Sequence, residues 1–338
     1  MLAYLTHPEW LKPEIIPGLP FRWYGLMYIL AFLTAYLLFM YQIKKRKLEI
    51  EKDTIINAFF WGIVGLLVGA RIFYMLFFDT SGTFWRAPWS LLLPFNERWE
   101  FTGYSGMNYY GGVVGGVIGM VIYLRRKKQD LLEWGDMLIA GVPLGHTFGR
   151  LGNFINGELY GRLTTAPWGM VFHSEGAGIR ADDHPAIKGS ASEVGITLPQ
   201  GSQMVDLPRH PTQVYEMLFE SLMIWAILWF IFRTRKPFKG FIIGLYIAIY
   251  GVVRFVIDYF RMPLRDHFLL KLGPQNNPVY LLLSPFNFTL DQLFSLLMVI
   301  GGVVFLWYRH RKSQRGRLSP ADQPAPDLRK MRKKIDKE

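Results

Sequence analysis

Apolar residues gather along this chain into long runs separated by polar segments, instead of recurring as one stripe per helical turn. Seven runs stand out, at about 22–42, 55–78, 105–124, 131–149, 212–232, 240–260 and 288–308. Each has the roughly 20 residues that a helix needs to cross about 30 Å of hydrocarbon. Helices are predicted because a backbone in lipid must satisfy its own hydrogen-bonding groups. The expected fold class is an all-α polytopic membrane protein with about seven transmembrane helices, in which residues 1–312 form one integral membrane domain. Between the fourth and fifth runs, the Gly-, Ser-, Asp- and Pro-containing stretch 162–207 predicts a small cap of turns and short strands outside the membrane. The first run does not read as a signal peptide, because it follows Pro13, Pro17 and Pro20 and no small-residue cleavage site ends it.

Charge fixes an orientation. The formal net charge of +12 is concentrated after the first run (Lys44, Lys45, Arg46, Lys47), the third (Arg125, Arg126, Lys127, Lys128), the fifth (Arg233, Arg235, Lys236, Lys239) and the seventh (Arg309, Arg311, Lys312, Arg315, Arg317). These are alternate loops, so the positive-inside rule places the N-terminus outside and the C-terminus in the cytoplasm. The cap is then periplasmic. This distribution also argues against nucleic acid as the partner of the basic residues. The stretch 313–338, rich in Lys, Arg, Asp and Pro, reads as a disordered basic cytoplasmic tail able to touch anionic membrane lipids. Trp85, Trp89 and Trp99 in the 79–104 loop read as interfacial anchors. The chain has no cysteine, so a disulfide framework, a thiolate metal site and a cysteine nucleophile are all excluded.

Several features of the apolar runs ask for packing. Gly111, Gly112, Gly115, Gly116 and Gly119 let the third helix approach a neighbour closely. Pro143 and Gly145 are expected to bend the fourth helix or leave its hydrogen-bond ladder incomplete, and His146 reads as a hydrogen-bonded packing residue. Arg71 is expected to snorkel towards headgroups.

Other polar residues ask for chemistry. Ionisable groups at membrane depth are costly and default to a functional reading. Residues 149–161 (Gly-Arg-Leu-Gly-Asn-Phe-Ile-Asn-Gly-Glu-Leu-Tyr-Gly) put Arg150, Asn153, Asn156 and Glu158 at the end of an apolar run. Arg254, Asp258 and Arg261 are spaced to share roughly one helix face, which fits a salt-bridge ladder and a binding site equally well. Three arginines against Glu158 and Asp258 leave one excess positive charge, suited to an anionic lipid headgroup such as a phosphodiester. The segment 208–216 opens the fifth helix, with Thr212 as a candidate N-cap and Glu216 in its first turns, and His210 is the histidine best placed as a general base. No metal-ligand spacing is visible.

These segments together resemble the prolipoprotein diacylglyceryl transferases of bacterial inner membranes. The resemblance runs from about Pro8 to Tyr308 and is carried by Arg22–Tyr28, Gly69–Tyr74, the thirteen-residue signature 149–161, Pro208–Glu216, Arg254–Arg261, and Asp291-Gln292 with Ser295. It implies transfer of the diacylglyceryl group from phosphatidylglycerol to the lipobox cysteine in the signal peptide of a prolipoprotein, forming a thioether and releasing glycerol phosphate. No cofactor is implied. The family pattern gives essential or binding roles to Tyr24, Arg150, Asn153, Glu158, Gly161, Arg254 and Arg261, and the residues themselves add Asn156 and Asp258 to the lipid-binding set. Many members carry His-Gly-Gly where this chain has Tyr110-Gly111-Gly112, and Glu where it has Asp258. Tyr110 is therefore expected to donate a hydrogen bond to phosphate, with thiol activation left to His210 or to the electropositive site. The competing readings are a scramblase or a non-catalytic lipoprotein-binding paralogue.

Overall fold

A computed structural model describes residues 4–16, 22–77, 107–173, 178–180, 185–193, 204–262, 270–271 and 284–317, with single positions within 78–106 and at 282. The described chain is mostly helical: α1 (Trp23–Arg46), α2 (Lys52–Phe77), α3 (Tyr109–Arg126), α4 (Leu131–Ile139), α5 (Val142–Ile155), α6 (Pro185–Glu193), α7 (Thr212–Phe232), α8 (Phe241–Ile257) and α9 (Leu290–Arg317). Among the described residues, α1, α2, α7 and α9 are long and apolar enough to cross a membrane, and α8 is a shorter apolar helix. Large apolar side chains such as Phe60, Phe230 and Val303 are exposed on these helices, as a lipid-facing surface requires.

The chain divides into two compact units, residues 1–37 with 135–338, and residues 38–134. The second is built on the α2–α3 hairpin. Here glycine is required by contact: a Cβ at Gly65 would fall on the Gly115 carbonyl, one at Gly69 on the Gly111 carbonyl, and one at Gly119 on the Trp61 carbonyl. Two apolar helices in lipid gain no hydrophobic energy by touching, so backbone-to-backbone approach supplies the packing. Asn108 starts α3 by accepting from the Gly111 amide at 3.1 Å. Within the same unit, Arg46 at the end of α1 pairs with Glu133 at 2.7 Å, and the rings of Trp89 and Trp99 stack with centroids 5.6 Å apart. Trp85 and residues 318–338 of the expected tail lie outside the described residues, while α9 itself continues to Arg317.

The run at 131–149 is interrupted, its helical ladder left incomplete between Ile139 and Val142. α4 stops at Ile139 and α5 restarts with Pro143 in its first turn, where a missing N–H costs nothing. α5 then continues to Ile155, so the first half of the 149–161 signature is helical, whereas the sequence predicts that the signature follows the helix end. Asp136 of α4 is wholly buried and accepts from the amides of Gly240, Ile242 and Ile243 and from Lys236 Nζ, capping the start of α8. α8 and α9 pack closely at Gly244, Gly251 and Gly302. Three two-residue ladders decorate the first unit: β1 (Leu5–Thr6) parallel to β2 (Met170–Val171), β3 (Ile179–Arg180) antiparallel to β4 (Met204–Val205), and β5 (Leu270–Lys271) antiparallel to β6 (Asn287–Phe288). The 162–207 stretch thus holds short strands, as expected, and also the helix α6.

Candidate active site

The site grows from the way α5 ends. Asn156 caps the helix, Gly157 takes a left-handed φ of 64°, its amide bonds Phe154 O, and the Glu158 amide bonds Asn153 O. This is a Schellman stop, and it explains the Asn-Gly pair of the signature. The chain turns back beside its own helix, so Asn153 Nδ2 donates to Glu158 Oε1 at 2.8 Å and Asn156 Nδ2 does so at 3.3 Å. Gln213 and Thr212 hold the turn from α7 by donating to the carbonyls of Glu158 and Leu159. Thr212 is therefore not the helix cap that its position predicts. Pro211 occupies that place without a side-chain bond, and the Thr212 hydroxyl is committed to the signature turn.

Beyond the turn the signature becomes extended. Gly161 pairs with Arg261, and its amide donates to His210 O. A Cβ at Gly161 would lie against the Phe260 carbonyl and 2.8 Å from both His210 Cβ and Thr212 Cγ2, so three segments meet where only hydrogen fits. Arg162 and Arg209 are both almost fully buried here. Arg209 donates to Gly161 O at 3.3 Å and its guanidinium lies over the Tyr160 ring. Burial lowers both guanidinium pKa values, that of Arg162 to about 10.

The arginines converge on α7. Arg150 Nε lies 3.2 Å from Glu216 Oε2, Arg254 Nη1 2.7 Å from Glu216 Oε1, and Arg261 Nη1 2.8 Å from the same oxygen. Glu220, one turn further on, lies 3.2 Å from Arg254 Nη1 and 3.8 Å from Arg150 Nη2. Both glutamates are wholly buried. They occupy the segment Glu216–Met223, which is wound as π-helix, a winding common at functional sites. Asp258 lies 3.8 Å from Arg254 Nη2 and accepts a hydrogen bond from the Thr289 hydroxyl. Thr289 and Gln292 in turn form a capping box that starts α9, their side chains bonding each other's amides at 3.1 and 3.0 Å. Asp291 completes the rim 3.9 Å from Arg254.

Arg150, Arg254, Arg261 and Asp258, which the sequence singles out, are thus brought together. Glu158 meets Asn153 and Asn156 directly and reaches Arg150 through Asn153, whose Oδ1 accepts from Arg150 Nη1 at 3.5 Å. The expected excess of one positive charge does not survive, because Glu216 and Glu220 were not counted among the charged partners. Three guanidinium groups, with buried Arg162 as a fourth within electrostatic reach of Asp258, face three buried carboxylates and a fourth at the rim. The missed signal was present: two glutamates four residues apart in an apolar run share a helix face and are costly there unless paired.

The remaining expected residues have other partners or belong to the second unit. Tyr24 lies in the first turn of α1, its hydroxyl 3.3 Å from that of Tyr28 and its ring against Gly152 of α5. His146 bonds Ser221 Oγ at 2.9 Å, a packing contact between α5 and α7. His210 Nδ1 lies 3.0 Å from Tyr215 Oη, which accepts from Trp168 Nε1 at 2.7 Å, and burial lowers its pKa to about 4. An imidazole of that basicity is neutral at pH 7 and a weak acceptor for a thiol proton. Tyr110 lies in the other unit, in the first turn of α3, and is 56% exposed.

A site of guanidinium groups with paired donors suits a phosphate or carboxylate. Comparison with known proteins gives the same direction. The family model described as prolipoprotein diacylglyceryl transferase matches residues 14–308. A protein of Treponema denticola named phosphatidylglycerol–prolipoprotein diacylglyceryl transferase is 39% identical over 340 residues, covering 94% of this chain and 99% of its own. Proteins of the same name from Treponema pallidum and Chlorobaculum tepidum are 39% and 38% identical, covering 88% and 90% of this chain.

Proposed function

This chain belongs to the prolipoprotein diacylglyceryl transferase family, and on that premise we propose that its arginine cluster binds the phosphate of phosphatidylglycerol while the diacylglyceryl group passes to a prolipoprotein cysteine. The enzyme is a bacterial membrane transferase, and its products are a thioether-linked lipid and glycerol phosphate. The observation that carries the reading is the convergence of Arg150, Arg254 and Arg261 on Glu216, which aims three permanently charged forks at one place.

The seven apolar runs cross the inner membrane seven times, with the N-terminus periplasmic, the C-terminus cytoplasmic and the 162–207 cap on the periplasmic side. Phosphatidylglycerol reaches the site from the outer leaflet with its acyl chains still in lipid. Arg150, Arg254 and Arg261 take the phosphate, Asn153 and Asn156 add neutral hydrogen bonds, and Asp258 and Glu158 hold the arginine and asparagine side chains in place. Tyr24 and Gly161 shape the pocket. The lipobox thiol, with a reference pKa near 8.5, needs only a modest shift to ionise beside these cations. The thiolate displaces the phosphate at the glycerol carbon, and the arginines stabilise the charge that builds on the leaving oxygen. His210, neutral at pH 7, supports the site through its bond to Tyr215 and is not required as the base. The role expected of Tyr110 rests on the family resemblance alone, and Tyr110→Phe in the transfer assay tests it.

The decisive experiment supplies the purified protein in detergent with phosphatidylglycerol labelled in its acyl chains and a lipobox peptide. Label on the cysteine peptide but not on its Cys→Ser counterpart is expected. Lipid binding without cysteine-dependent label would overturn the transferase reading in favour of a lipid-binding paralogue or scramblase.

A further inference from the structure

The pair Glu216 and Glu220 has no task in the reaction just described, yet it occupies the arginines that the lipid phosphate needs. We propose that phosphodiester binding at this cluster is coupled to uptake of one proton by Glu220. The inference rests on the reading that the arginine cluster is the phosphate site, and it concerns how that site accommodates an additional anion.

Without ligand, the guanidinium groups of Arg150, Arg254 and Arg261, together with buried Arg162 within electrostatic reach of Asp258, balance Glu216, Glu220, Asp258 and the rim carboxylate Asp291, and both glutamates are wholly buried. A buried cluster near neutrality tolerates an additional unpaired charge poorly, since each uncompensated ion costs several kcal/mol. A phosphodiester brings one negative charge. The arginines cannot respond, because guanidinium does not lose or gain a proton in proteins. A carboxylate can.

Contact geometry selects which one. Glu216 is held by Arg150, Arg254 and Arg261, two of them within 2.8 Å. Glu220 meets Arg254 at 3.2 Å and Arg150 at 3.8 Å, and its own helix places the like charge of Glu216 one turn away. Glu220 depends on Arg150 and Arg254 alone, both of which the phosphate takes, whereas Glu216 also has Arg261, 2.8 Å from its Oε1. Of two interacting carboxylates, the one with fewer cations and a like-charged neighbour takes the proton. The other titratable groups facing this place are His146 of α5, bonded to Ser221, and Tyr250 of α8, within electrostatic reach of Arg150 and Arg254. Asp258 is held by Thr289, and Asp291 stands at the rim. A proton on His146 would leave Glu220 charged and stripped of its cations, whereas a proton on Glu220 removes that charge.

The test is the pH dependence of phosphatidylglycerol binding to the full chain in detergent, measured by calorimetry at pH 6, 7, 8 and 9, with transfer assayed in parallel. Full coupling makes Kd rise about tenfold per pH unit over the upper part of this range. Heats in buffers of different ionisation enthalpy should report one proton taken up per lipid. Glu220→Gln should bind tightly with a Kd that no longer depends on pH, and Asp291→Asn should keep the wild-type slope. Glu220→Asp, which restores a carboxylate, should restore the slope. A flat wild-type profile overturns the proposal without the use of any variant. So does a folded Glu220→Gln protein that keeps the wild-type slope, which would move the proton to His146. Transfer with a flat profile refutes the coupling and leaves the transferase intact, whereas a steep profile without transfer does the reverse. Absence of phosphatidylglycerol binding at every pH removes both.

Discussion

The α2–α3 hairpin and the α5–α7–α8 cluster solve the same problem in opposite ways. Both join helices in surroundings where burying one more apolar side chain gains little over lipid. The hairpin does so by omission: glycine at 65, 69, 111, 115 and 119 lets carbonyls and Cα atoms of one helix touch the other. The cluster does so by charge, with guanidinium and carboxylate groups from α5, α7 and α8 and from the segment after α8 interlocked at 2.7 to 3.8 Å. Close packing tolerates no added atom but asks for no particular chemistry. An ion cluster fixes direction and identity, and it also leaves groups that can change partner. A binding site for an anion is built from the second kind of contact.

Substitutions can separate the two modes. The largest effect is expected from Arg150→Ala, which removes a donor aimed at the phosphate: transfer should fall on the order of 10²- to 10³-fold. Arg150→Lys should recover only a small part, since a point charge does not replace the fork. Transfer within tenfold of wild type in Arg150→Ala would sink the phosphate clamp. Arg254→Ala additionally strips Glu216 and Glu220 of a shared cation and should destabilise the protein by about 3–5 kcal/mol, read as lost thermal stability in detergent.

On the other side of the comparison, Gly115→Leu drives a side chain into the Gly65 carbonyl and should cost at least about 1–3 kcal/mol. An unchanged melting temperature would mean that the hairpin is not held by close approach. Gly161→Ala tests the one place where a signature residue acts by omission. It should lower transfer and stability together by a similar 1–3 kcal/mol, because the displaced neighbours are His210, Thr212 and the Phe260 carbonyl.

The smallest effect on activity is expected at His210. With its pKa lowered from 6.5 to about 4, it is neutral in the folded state wherever the unfolded state begins to bind a proton. Its contribution to stability is fully present above pH 6.5 and is lost progressively as pH falls towards 4, by an amount on the order of 3 kcal/mol. His210→Asn should keep transfer within about tenfold at pH 7 and flatten the acid limb of the stability profile. A loss of transfer as large as that of Arg150→Ala would return the role of base to His210.

Membrane character was legible because length and apolarity alone set a helix that can span a bilayer, and α1, α2, α7 and α9 have both. The arginines were legible because an ion in an apolar run must have a reason to be there. What escaped was pairing. Glu216 reads as part of a helix start and Glu220 is not singled out, since nothing in the order of residues says which helices will face each other. Thr212 shows the same limit from the other direction: a residue of capping type at a helix start was spent on the carbonyl of Leu159, 53 positions away.

The sequence by itself determined that the chain enters lipid, that its signature carries charge, and to which family it belongs, because these depend on composition, local spacing and residue identity. Only the tertiary structure decided the balance of the site. Charge compensation is a property of distances between α5, α7 and α8, and those distances turned an expected surplus of positive charge into a closed set of ion pairs.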